Sequence, residues 1–298
     1  MATRQSNRSA RISKGAQECT DSGKGIFFVS GASGSTSRYS QREVQCLDDA
    51  QAVCEAAADE FATASCRAIE AHGVFRIALS GGSTPCRLHR ILTEAPYREN
   101  INWDRIEFFF GDERTVHPDH TDSNYRMARD TLLTELDIAP ERVHRMHAEH
   151  RDLTGAARSY EEEIASTFDA TRDGAPPRFD LILLGMGADG HTASLFPETE
   201  ALLERERWVV GNEVPKLGVQ RMTFTYPLIN AAERVVFLIP GESKASALAA
   251  ILDGPTDVSR LPSQGVAPSD GKLLFLIDQA AGKLLHPATR NSNVVATE

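Results

Sequence analysis

Residues 179–191 read FDLILLGMGADGH, an apolar run that leads into a glycine-rich segment ending in a histidine. The run is strand-sized and lacks polar alternation, which is typical of a parallel strand buried on both faces. Three glycines in the following six residues indicate a tightly curved loop. A histidine such as His191 can accept a proton from water, and Asp189 can fix its tautomer or contact a substrate directly. We predict that both are catalytic; a purely structural histidine is the alternative.

Two other apolar runs follow the same pattern. Residues 75–79 read FRIAL and lead into SGGSTP at 80–85, and residues 106–110 read IEFFF and lead into GDER at 111–114. The carboxyl ends of parallel strands meet at one edge of a sheet, where α/β proteins bind their ligands. The three loops are therefore expected to converge on one site.

The SGGSTP loop favours phosphate binding. Paired glycines permit close backbone approach, and a proline suits the first turn of a helix, whose N–H groups attract anions. A tight strand-to-helix turn without a ligand is the alternative. The predicted substrate-binding residues of this loop are Ser80, Gly81, Gly82, Ser83 and Thr84.

Charged residues elsewhere complete the predicted site. Arg114 can hold a phosphate with two parallel hydrogen bonds, and Asp112 can orient sugar hydroxyls or a water. A solvated loop with an internal ion pair is the alternative at this position. A phosphate monoester carries close to two negative charges, so we add three cations near predicted strand or helix ends: Lys216, Arg221 and Lys244.

The remaining pattern alternates strands with helices. We predict a helix over residues 48–71, capped by Asp48, and another over 243–252. Further strands are predicted at 44–46, 208–210, 222–225, 235–239 and 273–277. This order indicates an α/β fold of the Rossmann-like type: a layered, mostly parallel sheet with helices on both faces.

Composition sets the broad class. Hydrophobic residues make up 41% and charged residues 25% of 298 residues, which are ordinary globular values. The net charge of −10 argues against nucleic acid or an anionic membrane as partner, and no apolar run approaches the roughly 20 residues of a membrane helix. The sequence contains no Cys-x-x-Cys pair, which argues against a zinc site. We expect a cytoplasmic protein, either a monomer or a weak homodimer.

The amino-terminal region differs in composition from the rest. Residues 1–40 are rich in Ser, Gly, Thr and Arg, which predicts a mobile extension. A transit peptide is the alternative, weakened by Glu18 and Asp21. Residues 41–298 are expected to form a single α/β catalytic domain with a short carboxyl-terminal tail.

Together the three loop motifs resemble the 6-phosphogluconolactonase family, within the larger group that includes glucosamine-6-phosphate isomerase/deaminase. The resemblance extends over most of residues 42–285. It implies hydrolysis of 6-phosphoglucono-1,5-lactone to 6-phosphogluconate in the oxidative pentose phosphate pathway, without metal or organic cofactor. It further implies His191 as general base, Asp189 and Asp112 as its polar companions, and Arg114 as a substrate-binding cation.

Two other activities are compatible with these motifs. A deaminase would release ammonia from glucosamine 6-phosphate, but deaminases typically have Asn-Glu-Pro after the histidine and Asp-Glu-Tyr at the charged loop. Here those places read SLFPE at 194–198 and DER at 112–114. The second alternative is a non-catalytic sugar-phosphate sensor on the same fold. An intact Asp189 and His191 argue against it.

Overall fold

The structure, a computed structural model, describes residues 42–294 and the side chains of 42–290. The predicted amino-terminal extension, residues 1–40, lies outside the described residues. Within them the strands are β1 Arg42–Leu47, β2 Phe75–Leu79, β3 Ile106–Phe110, β4 Asp112–Arg114, β5 Leu181–Leu184, β6 Val209–Val214, β7 Val219–Phe224, β8 Arg234–Ile239, β9 Lys272–Asp278 and β10 Asn291–Val294.

The α-helices of the described part are α1 Ala50–His72, α2 Ser83–Leu92, α3 Tyr97–Asn100, α4 Asn124–Ala128, α5 Leu153–Thr167, α6 Tyr226–Ile229 and α7 Ala245–Leu252. Helix α1 packs on α2 and on strands β2, β8 and β9, and α5 packs on β6. No helix in residues 42–294 combines the length and the apolar character that crossing a membrane requires.

The main sheet has the strand order β10-β1-β9-β8-β5-β2-β3. All neighbouring pairs are parallel except β10 with β1. The chain runs from β2 to β3 on one side and then returns through β5 to the other side of β2. Such a reversal opens a crevice at the carboxyl ends of the strands. The predicted layered, mostly parallel α/β sheet is confirmed.

Strand β3 shows why the central strands are apolar throughout. Phe109 packs against Phe179 and Tyr160 of α5, whereas Phe110 packs against Tyr125 of α4. Successive side chains of a strand point to opposite faces, so both faces of β3 are covered. The continuous aromatic run in the sequence follows from burial on both sides of the sheet.

The prediction for the later strands is wrong in one respect. Strands β6 and β7 do not join the parallel sheet but form a separate antiparallel sheet in the order β4-β7-β6. The charged segment Asp112–Arg114, expected to be a loop, is the edge strand of that sheet. A short apolar run fits either sheet, because it specifies burial but not its pairing partner.

The helix cap at the start of α1 also differs from the prediction. Asp49, rather than Asp48, accepts hydrogen bonds from the backbone N–H groups of Gln51 and Ala52 at 2.8 and 2.9 Å. The Asp48 side chain instead accepts a hydrogen bond from Gln279. Adjacent aspartates offer equivalent capping chemistry, so sequence places this boundary only to within one residue.

A histidine between β3 and α5 couples stability to pH. His144 contacts Glu163 through Nδ1 at 2.8 Å and Glu107 through Nε2 at 3.0 Å, and its ring stacks on Phe109. Burial alone would lower the pKa of His144, but the two carboxylates outweigh it and raise the pKa to about 9. Both ring nitrogens can donate to the carboxylates only when the imidazole is charged.

We expect this histidine to stabilise the protein most in neutral and mildly acidic solution. Its folded pKa lies above its unfolded value near 6.5, so the contribution is complete below about pH 6.5 and is lost as pH rises through about 9. The shift corresponds to about 3 kcal/mol. Urea unfolding at pH 6 and pH 10 should show that the free energy of unfolding falls less between these two pH values in His144→Gln than in wild type. An equal fall in both proteins would contradict this role.

Candidate active site

A cleft of about 250 Å³ lies at the carboxyl ends of β3, β2, β5 and β8, four neighbours in the main sheet. The loops after these strands form its walls, as the sequence predicts for three of them. The predicted site residues that line it are Ser80, Gly81, Gly82, Ser83, Thr84, Asp112, Arg114, His191 and Lys244. Asp189, Lys216 and Arg221 lie beside this lining.

His191 and Asp189 form the expected pair. Nδ1 of His191 lies 2.6 Å from Oδ1 of Asp189, and the His191 ring stacks on Phe196 with centroids 4.1 Å apart. An ionised carboxylate only accepts hydrogen bonds, so Nδ1 donates and Nε2 of a neutral ring carries the lone pair. The His191 side chain is 29% exposed. The arrangement suits proton transfer at Nε2 to or from a ligand in the cleft.

Asp189 has cationic or donor partners on both oxygens. Burial alone would raise its pKa, but the hydrogen bond and charge of His191 prevail and the pKa of Asp189 is lowered. Its second oxygen lies 3.6 Å from Nζ of Lys216, at the turn between β6 and β7. Lys216 is 74% exposed. The structure thus places Lys216 beside the His191–Asp189 pair rather than in the cleft wall.

The tight packing of the loop after β5 explains why residue 187 is a glycine. A Cβ on Gly187 would lie 2.1 Å from Nδ1 of His191 and 2.5 Å from Oδ1 of Asp189. The backbone also closes here, because Gly187 N–H donates to the carbonyl of His191 at 2.8 Å. Only glycine leaves room for the imidazole–carboxylate contact.

We therefore expect Gly187→Ala to misplace the pair and lower activity by about 100-fold, the typical cost of a shift near 1 Å in reacting groups. Gly185→Ala is the matched control, since a Cβ there meets no atom within 4 Å. Steady-state kinetics on both variants, with thermal unfolding as a check of folding, would measure the difference. Similar losses in the two variants would contradict the steric explanation.

The loop after β2 forms a helix start open to the cleft. Gly82 has φ of 113°, which L side chains rarely adopt, and it precedes the first turn of α2. A Cβ on Gly81 would lie 1.7 Å from Oδ1 of Asn124. Oγ of Ser80 is buried and has no hydrogen-bond partner among the described residues. Free N–H groups, an unpartnered hydroxyl and a helix N-terminus suit an anion.

Arg114 and Arg221 face each other across paired strands β4 and β7. Burial lowers the pKa of Arg221, and the charge of Arg114 lowers it further. Neither arginine, nor Lys244, lies within ion-pair distance of a carboxylate in the described part of the chain. Arg114 does donate a hydrogen bond to the carbonyl of Asp122. Cations without a carboxylate partner beside a helix start form a region suited to a phosphate.

The two carboxylates of the charged strand have different surroundings. Glu113 is buried, which raises its pKa, and it accepts hydrogen bonds from the backbone of Asn124 and Tyr125 and from Ser123. It therefore holds the start of α4, rather than pairing with a neighbouring base. Asp112 instead lines the cleft.

The polar groups beneath Asp112 were not predicted from the sequence. Ser194, Asn212 and Thr223 are almost fully buried and connect the loop after β5 to strands β6 and β7. No pattern in the sequence identifies them, because their hydrogen bonds join segments that are far apart in the chain. The stacking of Phe196 on His191 was also not predicted, and its only signal in the sequence is that the two residues lie close together in the chain.

No group of three or more His, Cys, Asp or Glu side chains arranged for a metal occurs among the described residues. The chemistry available in the cleft is that of an imidazole, carboxylates, hydroxyls and cations. These groups suit acid–base chemistry on an anionic, hydroxylated ligand.

Comparison with known proteins shows the family to which the chain belongs. Residues 48–275 match the model of glucosamine-6-phosphate isomerases/6-phosphogluconolactonase, more than half of the chain. The chain belongs to this family. The predicted family resemblance is confirmed.

Individual members of the family are similar over nearly their whole length. A protein of Nostoc sp. named 6-phosphogluconolactonase is 43% identical over 243 residues, covering 81% of this chain and 98% of the relative. One of the same name from Synechocystis sp. is 45% identical, covering 82% and 99%. The solved structure of 6-phosphogluconolactonase from Trypanosoma cruzi matches with a TM-score of 0.73 at 28% identity, covering 82% of this chain and 97% of that one.

Proposed function

We propose that this protein hydrolyses 6-phospho-D-glucono-1,5-lactone to 6-phospho-D-gluconate, the second step of the oxidative pentose phosphate pathway. The observation that carries the proposal is the His191–Asp189 pair in a cleft that also holds Arg114 and the N-terminus of α2. The names of the similar family members support this activity. The site thus combines a base with a region suited to the phosphate of the substrate.

In the proposed reaction His191 is the general base. Its Nε2 removes a proton from water while the water oxygen bonds to the lactone carbonyl carbon, giving a tetrahedral oxyanion. Donors of the cleft, either backbone N–H groups or a nearby cation, stabilise that charge. The bond from the carbonyl carbon to the ring oxygen then breaks, and the proton on His191 passes to the departing oxygen. The products are a carboxylic acid, which ionises, and a hydroxyl.

The remaining site residues bind and orient the substrate. Arg114, Arg221 and Lys244, with the loop from Ser80 to Thr84, are assigned to the phosphate. Asp112 is assigned to the sugar hydroxyls, for which an ionised carboxylate is a strong acceptor. Asp189 holds the tautomer of His191, and Lys216 contributes positive charge near it. A lactone is an activated ester, so base catalysis and positioning suffice without a covalent enzyme intermediate.

A lactonase assay tests the proposal. Freshly generated 6-phosphogluconolactone is supplied, and its spontaneous hydrolysis is measured in parallel and subtracted. We expect enzyme-dependent formation of 6-phosphogluconate. Ammonia released from glucosamine 6-phosphate would support the deaminase instead. Binding of sugar phosphates without either turnover would support the sensor.

We further propose that the protein acts in the cytoplasm, as a monomer or weak homodimer, through a single catalytic domain. Cell fractionation of the full chain, with residues 1–41 present, tests the location, and recovery in an organelle would overturn it. Light scattering across a range of protein concentrations tests the oligomeric state. A stable dimer at the lowest concentration would contradict a monomer or weak dimer.

A further inference from the structure

The carboxylate of Asp112 is held at both oxygens. Oδ2 accepts a hydrogen bond from Oγ of Ser194 at 2.6 Å, and Oδ1 accepts one from Nδ2 of Asn124 at 3.1 Å. Asp112 is 8% exposed and its remaining surface is in the cleft wall. Short hydrogen bonds to an ionised acceptor are stronger than neutral ones, so the Ser194 contact dominates the orientation of this carboxylate.

Ser194 is itself fixed through its backbone. Its N–H donates to Oγ1 of Thr223 at 3.1 Å, and its carbonyl accepts a hydrogen bond from Nδ2 of Asn212 at 2.8 Å. Both partners belong to the smaller sheet and are buried. Ser194 is 1% exposed. Its hydroxyl therefore has a rigid position and cannot reach a ligand in the cleft directly.

The same residue belongs to the loop of His191. Ala193 lies between His191 and Ser194 and has φ of 47°. This left-handed conformation is energetically unfavourable for a residue other than glycine. Thr192 anchors the turn through a hydrogen bond from its hydroxyl to the carbonyl of Gly185 at 2.8 Å. A strained, anchored turn thus sets the Ser194 hydroxyl relative to the His191 ring.

We infer that Ser194 is a positioning residue that fixes the Asp112 carboxylate relative to His191. The inference rests on the proposed function, in which Asp112 accepts hydrogen bonds from the hydroxyls of the sugar ring. Ser194 connects the loop after β5, which carries His191, to Asp112, which follows β3. The hydroxyls of the sugar ring and the lactone carbonyl are thereby held in a fixed position relative to each other. Without its hydroxyl, Oδ2 of Asp112 loses its only protein hydrogen bond among the described residues, and only the longer contact of Oδ1 with Asn124 then orients the carboxylate.

A double-mutant cycle tests the inference, with Ser194→Ala, Asp112→Asn and the double variant. Ser194→Ala is expected to lower kcat/KM for 6-phosphogluconolactone by about 10- to 100-fold, the worth of a hydrogen bond to a charged group. Because Ser194 acts through Asp112, it should cost much less in the Asp112→Asn background. Ser194→Thr, which keeps the hydroxyl, should recover part of the activity.

Ser65→Ala is the matched control, because Ser65 is also buried and donates to a backbone carbonyl, that of Ala62 in α1. Its kinetics should equal those of wild type. The positioning role would be overturned if Ser194→Ala lowered kcat/KM no more than Ser65→Ala does. It would also be overturned if Ser194→Ala lowered kcat/KM by the same factor in wild type and in the Asp112→Asn background. A thermal unfolding midpoint for each variant identifies any loss that comes from misfolding.

Product binding separates this inference from the proposed function. Calorimetry should show that Ser194→Ala weakens binding of 6-phosphogluconate but leaves binding of inorganic phosphate unchanged. If wild type binds 6-phosphogluconate without hydrolysing the lactone, the proposed function fails, and the cycle is read from Kd instead of kcat/KM. Equal weakening of both ligands would overturn the assignment of Asp112 and Ser194 to the sugar hydroxyls.

Discussion

Replacing His191 with alanine is expected to lower kcat for 6-phosphogluconolactone by about 10²- to 10⁴-fold, the usual contribution of a positioned acid–base group. The reason is that no other imidazole lines the cleft in the described part of the chain. The rate at saturating lactone, corrected for spontaneous hydrolysis, measures the effect. KM should change little, because the phosphate and hydroxyl contacts remain.

A second histidine–aspartate pair provides the control. His72 contacts Asp180 through Nε2 at 2.9 Å, near the amino end of β5 and so at the opposite edge of the sheet. His72→Ala removes a partly exposed imidazole with a carboxylate partner, as His191→Ala does, but should keep wild-type kcat. Full lactone hydrolysis by a folded His191→Ala variant would show that another group acts as the base.

Much of this site could be predicted because the relevant information is local. Leu181–Leu184 and most of Phe75–Leu79 are apolar, which is typical of a strand covered on both faces, and the residues after two such parallel strands emerge at one edge of the sheet. The convergence of Gly81, Arg114 and His191 follows from parallel strand direction alone. Their chemical types then indicate the kind of ligand.

The rest depends on contacts between distant parts of the chain. Arg221 lies beside Arg114 because β7 pairs with β4, and nothing in either segment specifies that register. The contact of Ser194 with Asp112 likewise requires the exact turn at Ala193. A lone serine in an apolar segment gives no sequence signal for such a role. Polar networks of this kind become visible only when the backbone of both sheets is placed.

Arg114 offers the second large effect, because we assign the region it forms with Arg221 to the phosphate of the substrate. Only one N–H group of the Arg114 guanidinium is used within the described residues, in its hydrogen bond to the carbonyl of Asp122. The guanidinium has five donors, so the others remain for a phosphate. Arg114 and Arg221 stand opposite each other on paired strands, so their like charges repel. Burial lowers the pKa of Arg221, and the charge of Arg114 lowers it further. A bound phosphate would relieve that repulsion.

Arg114→Ala is therefore expected to lower kcat/KM for 6-phosphogluconolactone by about 10- to 100-fold, mainly through KM, since charge-assisted hydrogen bonds are lost. Hydrolysis of unphosphorylated gluconolactone should hardly change. Arg114→Lys should lie between, because lysine keeps the charge without the planar pair of donors. Arg178→Ala is the control, as Arg178 also donates to a backbone carbonyl, that of Asp270, but away from the cleft. Equal losses on both lactones would place Arg114 at the reacting carbonyl rather than at the phosphate.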